Sequence, residues 1–168
     1  MSKFARSNIA PVYEVFGQAV FQAQLLEEAL ELLIRMLDAN GSKGSAKFAI
    51  DVPDAPKTIG VLFREVRLRK YLTKMQRGII QTGVRERNFL IHAYWQNQRS
   101  LALRTTAGRR WLVKDLRRID KACREASRIV DSIADEYLRG HGTSYEQLAE
   151  PLWQIWESSS EPPLEVLH

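Results

Sequence analysis

Apolar residues recur every three or four positions through most of the chain, and strand-type alternation competes nowhere. The first such stretch predicts a helix over residues 11–39. Val12, Val15, Phe16, Ala19, Val20, Ala23, Leu26, Leu30, Leu33, Ile34 and Leu37 form its stripe. Pro11 suits a first helical turn, where a missing N–H costs nothing, and Asn40-Gly41 stops the helix. Residues 42–56 are rich in Gly, Ser and Pro and read as a long loop. Thr58 is a plausible N-cap for a second helix carrying Leu62, Val66 and Tyr71. A third helix is expected over 73–98, its first half loosened by Gly78 and Gly83. Gly108 marks the following turn. A fourth, over 109–139, puts Trp111 or Leu112, then Leu116, Ile119, Cys123, Ala126, Val130, Ile133 and Tyr137 on one stripe. Gly140 and Gly142 end it.

Thr143 and Glu146 then have capping-box spacing, ahead of an amphipathic segment with Leu148, Leu152, Trp153, Ile155 and Trp156. The two tryptophans suit core or dimer contacts, or the docking of a partner. The pattern predicts an all-α, antiparallel bundle of four to five helices. It fills one domain over residues 1–157, with a mobile tail over 158–168.

The third helix poses the chemical question. Phe89, Leu90 and Ile91 are consecutive and cover more than half its circumference, so neighbours are expected on nearly every side, within the monomer or across a dimer interface. Yet Arg87, Asn88 and His92 stand among them, and buried polar groups are costly unless paired. Asn88 and His92 are one turn apart and share a face with Trp95 and Gln96. Arg87 lies about 140° around the helix from His92 and shares a second face with Tyr94. One helix does not easily aim both at one atom. A long arginine side chain, or a second copy of the helix across a two-fold axis, does.

Charge sharpens the picture. The net charge is +5, but it is unevenly spread. Between Lys57 and Arg128 there are 19 Lys and Arg against 5 Asp and Glu, and the remainder holds 6 against 15. A basic middle between acidic ends attracts polyanions, or is a solvated arginine-rich surface. The single cysteine, Cys123, excludes an intrachain disulfide and suits a reducing cytoplasm. The three histidines, His92, His141 and His168, are too scattered for a metal site, and no cofactor is implied. No apolar run approaches a membrane span, and residues 1–14 do not read as a signal peptide.

Arg87, Asn88, His92 and Tyr94 together read R-N-x3-H-x-Y. Requiring tyrosine two places after the histidine reduces chance occurrence to around one in a hundred. The motif resembles the signature of HEPN domains and is most similar to that of HepT-like toxins. The resemblance implies a four- or five-helix bundle, usually dimeric, in which two copies of the motif meet in a cleft. It implies a metal-independent endoribonuclease, the toxin of a toxin–antitoxin or defence system, with Arg87 and His92 catalytic and Asn88 and Tyr94 at the substrate. It also implies an antitoxin or nucleotidyltransferase partner that AMPylates Tyr94. Other members of the family are catalytically silent and bind a partner protein or a nucleotide.

The residue types suit the reaction. Cleavage of RNA through its own 2′-hydroxyl needs a base, an acid and positive charge at the phosphorus. Histidine exchanges protons near neutral pH, arginine presents planar donors to phosphate oxygens, and asparagine orients either. The plainer alternatives are an interfacial histidine, an Arg87 ion pair with Glu86 of another copy or a first-helix glutamate such as Glu28, and packing roles for Tyr94 and Trp95. Gln24 and Glu28 interrupt the first helix's apolar face and offer further polar groups to the cleft.

Overall fold

The periodicity of the sequence is realised as helices among the described residues. A computed structural model describes residues 9–39, 58–68, 72–96, 99–144 and 146–147. They form α1 (Ala10–Ala39), α2 (Ile59–Leu68), α3 (Lys74–Ala93), α4 (Arg99–Ala102) and α5 (Thr106–Gly140). No strand occurs among the described residues. The expected amphipathic segment over 148–157 and the tail over 158–168 lie outside them.

Local chemistry sets the helix ends. Thr73 starts α3 through a reciprocal capping box with Gln76. Thr105 caps α5 by accepting from the Gly108 N–H at 2.9 Å. Gly108 is therefore inside the first turn of α5, not in the connection ahead of it. Its glycine identity has another cause: a Cβ there would lie 2.1 Å from the Ala102 carbonyl oxygen. At the far end, Gly142 adopts φ 73°, the Thr143 N–H bonds the Leu138 carbonyl, and the Gly142 N–H bonds that of Arg139. This left-handed stop satisfies carbonyls that the helix leaves open. The capping box that follows is Ser144 with Gln147, one residue later than the pattern of Thr143 and Glu146 suggests.

Three long helices carry the core, and their directions follow from what they touch. Gly83 and Glu86 of α3 and Tyr94 at its C-cap meet Cys123, Arg118 and Leu112 of α5 in descending order, so the two run antiparallel. Glu27 meets Arg87 and Tyr13 meets Trp95, so α1 and α3 are also antiparallel. It follows that α1 and α5 run parallel, and the Tyr137 hydroxyl donates to the Met36 carbonyl at their C-terminal ends. Consecutive long helices are thus antiparallel, while α1 and α5 share a direction. The ten residues of α2 are too short to make a full traverse, so the described residues cross the bundle three times, in α1, α3 and α5.

The core has two parts. One joins Leu26, Leu30 and Leu33 of α1 and Ile59 and Leu62 of α2 with Ile80 of α3 and Val130 and Leu138 of α5. The other joins Val12, Val15, Ala19 and Ala23 with Leu90, Tyr94, Leu112, Leu116, Ile119 and Cys123. Each fully buried large apolar side chain contributes about 1.5–3 kcal/mol by leaving water. Between the two parts Gly83 lets α3 approach α5, since a Cβ there would lie 2.4 Å from that of Ala126. The glycine expected to loosen the helix instead permits its closest packing.

Candidate functional site

The polar residues of α3 divide between two faces. On the inner side, Glu86 is buried and its carboxylate accepts from Arg118 of α5 at 2.8 Å, with Arg85 at 3.5 Å. Asp115 of α5 takes a second bond from Arg118 and lies 3.5 Å from Arg99 of α4. The Arg99 guanidinium rests 4.6 Å from the Phe89 ring centroid and 5.3 Å from those of Tyr94 and Trp111. These charges tie α3, α4 and α5 together, and cation–π contacts add to the seal.

Arg87 is half-buried and oriented by two partners. One terminal nitrogen donates to a carboxylate oxygen of Glu27 on α1, and the other donates to the Asn88 Oδ1 at 3.2 Å. Its Nε is buried without a hydrogen bond. The arginine is thus an ion-pair partner for α1, through Glu27 rather than Glu28, which is exposed along with Gln24. The signal for Glu27 was present in the sequence. It stands seven residues after Val20 and seven before Ile34, and so on the apolar side of α1.

Asn88 is half-buried, and His92, one turn further along, is exposed. The imidazole has no hydrogen bond among the described residues, while the His92 carbonyl accepts from Gln96 Nε2 at 2.8 Å. Ile91 beside it is 42% exposed, so α3 is not enclosed on all sides within one chain. Val84, two turns earlier on the same face, is buried in the core cluster that includes α2 residues. Ile91, two turns on, is open.

Tyr94 points the other way. It is 1% exposed, and its hydroxyl donates to the Leu112 carbonyl at 3.3 Å. Burial, reinforced by Asp115, pushes the phenol above the ordinary tyrosine range. Phe16, Phe89 and Trp95 surround the ring. Tyr94, expected at the substrate or as the acceptor of a nucleotidyl group, thus has its hydroxyl directed into the core. Helical spacing already placed it with Arg87, on the side away from His92.

The structure therefore brings together Glu27, Arg87 and Asn88 in one chain of contacts, with His92 next along the surface, and it separates Tyr94 from them. No group of three or more His, Cys, Asp or Glu suited to a metal ion occurs among the described residues. No helix among them is long and apolar enough to cross a membrane. Comparison with protein-family models, with curated proteins and with solved structures finds no match to this chain.

Proposed function

We propose that this chain is a metal-independent endoribonuclease of the HEPN type that works as a homodimer, with His92 as its proton-transfer group. The observation that carries the reading is the open imidazole of His92 one turn from an asparagine that Arg87 holds in place. The 2′-hydroxyl oxygen of a nucleotide forms a bond to its own 3′-phosphorus, and its proton passes to the neutral imidazole. The bond from phosphorus to the 5′-oxygen of the next nucleotide breaks, and that oxygen takes a proton from the imidazolium of the second copy. The products are a 2′,3′-cyclic phosphate and a free 5′-hydroxyl. Asn88 donates to a non-bridging oxygen. Arg87 acts through it as a positioning residue, because its own terminal nitrogens are engaged by Glu27 and Asn88.

The open Ile91 beside His92 supports the dimer, because an exposed apolar side chain next to the reacting group is covered when two such faces meet. A catalytically silent module that binds a partner protein is the second reading. The interior ion pair of Arg87 favours it, since a structural arginine needs no substrate. Cleavage of cellular RNA in excess chelator by wild type but not by His92→Ala separates the two.

A further inference from the structure

An open groove of about 740 Å³ runs between α2 and α3 and includes Arg64, Gln81, Thr82, Arg85 and Asn88 among its walls. Among its described lining residues are two guanidinium groups and no carboxylate. Arg64 is exposed and has no ion pair among the described residues. Arg85 has a 73% exposed side chain and only a 3.5 Å approach to Glu86, whose closer partner is Arg118. Asn88 completes the set. Its oxygen is taken by Arg87, so the amide offers the groove its two N–H donors. The Thr82 hydroxyl is spent on the Gly78 carbonyl at 3.0 Å. The groove is built to donate, and it suits an anion.

Two glycines in its walls point the same way. Gly60 of α2 and Gly78 of α3 sit inside helices, where glycine is unfavourable relative to alanine. Neither is demanded by packing, since a Cβ at either would meet nothing within 4 Å. What both preserve is space in the groove.

From this we infer that the α2–α3 groove holds the phosphate backbone of single-stranded RNA and leads it along α3 to His92. Gln81, Arg85, Asn88 and His92 follow one another on the outer side of the helix, over about 16 Å at 1.5 Å per residue. Phe63, the one aromatic among its described wall residues, is buried and offers bases no stacking platform. Contacts to phosphate fix position without reading sequence. That the strand is RNA rests on the ribonuclease reading; that the groove takes a polyanion does not.

The test is binding of a fluorescent oligouridine to the full chain carrying His92→Ala, so that cleavage plays no part. Arg64→Gln with Arg85→Gln should weaken binding at least tenfold and flatten the dependence of log affinity on log salt by about 1.4, at roughly 0.7 for each phosphate contact. Asn88→Asp keeps an acceptor for Arg87 but turns an acidic oxygen to the groove, and should weaken binding similarly. Gly78→Leu should raise thermal stability and lower affinity, a combination that a purely structural glycine does not produce. Lys121→Gln with Arg128→Gln, equal in charge change on exposed positions of α5, should have little effect. Equal loss from both pairs, no binding by the parent protein, or groove-dependent binding of inorganic triphosphate without RNA binding would each overturn the inference. Groove-dependent binding together with unchanged cleavage in His92→Ala compared with the chain retaining His92 would instead overturn the ribonuclease reading and leave the groove standing as a polyanion site.

Discussion

Arg87 of α3 is ion-paired with Glu27 of α1, a residue 60 positions earlier in the chain. Only 15% of the arginine side chain and 28% of the glutamate side chain are exposed. The pair pins the middle of α3 to α1 and fixes the arginine that orients Asn88. Removing one partner leaves a poorly solvated charge, so Arg87→Ala should destabilise the fold by about 1–3 kcal/mol. A double-mutant cycle with Glu27→Gln, read by urea unfolding, should return a coupling of comparable sign and size. Zero coupling would make the pair a surface contact. Arg87→Lys should keep much of the stability but release Asn88, because a lysine lacks the planar fork that reaches both partners.

Gly83 makes a separate prediction about packing. A Cβ at this position would meet that of Ala126 at 2.4 Å and the Leu26 Cδ2 at 3.1 Å. Gly83→Ala should therefore cost about 1–3 kcal/mol by forcing α3 from α5, despite the better helix propensity of alanine. Ala126→Gly in the same chain should recover part of the loss in a denaturant titration. A stabilised Gly83→Ala would show that the helices are further apart.

Alkaline pH should destabilise the fold through two buried acids. Burial pushes the Cys123 thiol from 9.0 up to about 12, and it raises the Tyr94 phenol as well. Both groups bind protons more tightly folded than unfolded, so their contributions are fully present below about pH 9 and are lost as pH rises through the folded values. Unfolding free energy measured from pH 8 to pH 11 should fall, and less so in Cys123→Ser with Tyr94→Phe. Cys123 is the chain's one thiol, and it should resist a thiol reagent until the protein unfolds. Tyr94 should not be nucleotidylated in the folded protein.

The fold was legible because its information is local. A stripe at helical spacing, a threonine three places before a helper and a glycine at a helix stop each act within a few residues, and α1 and α5 appear close to their expected limits, while α3 ends at Ala93, five residues before its expected limit. What periodicity does not carry is which helices touch. Glu27 and Arg87 are paired by the antiparallel packing of α1 against α3; heptad spacing puts Glu27 on the apolar side of α1 but does not say which residue of another helix it meets. The same holds for Ile91. Its apolar character predicted burial, but the side chain is 42% exposed. Tyr94 shows the converse, a motif residue whose burial follows from its side of the helix. The Arg64–Arg85 groove belongs to two helices and has no signature in either.

The dimer makes the fourth prediction. Ile91 is 42% exposed beside His92, so Ile91→Glu should convert a homodimer into a folded monomer, with unchanged helical circular dichroism. Light scattering at micromolar concentration reads the change. His92→Ala should remain dimeric. A monomeric wild type would remove the second imidazole from the proposed reaction.

The most direct test of the whole account is cleavage of mixed cellular RNA in excess chelator, comparing wild type with His92→Ala. The account predicts cleavage by wild type with 2′,3′-cyclic phosphate ends, and a loss of roughly 10²–10⁴-fold in His92→Ala, the usual worth of a proton-transfer group. Tyr94→Phe should cut at close to the wild-type rate, since its hydroxyl lies in the core. Equal activity in wild type and His92→Ala would contradict the account and leave Glu27, Arg87 and Asn88 as the structural network of a binding module.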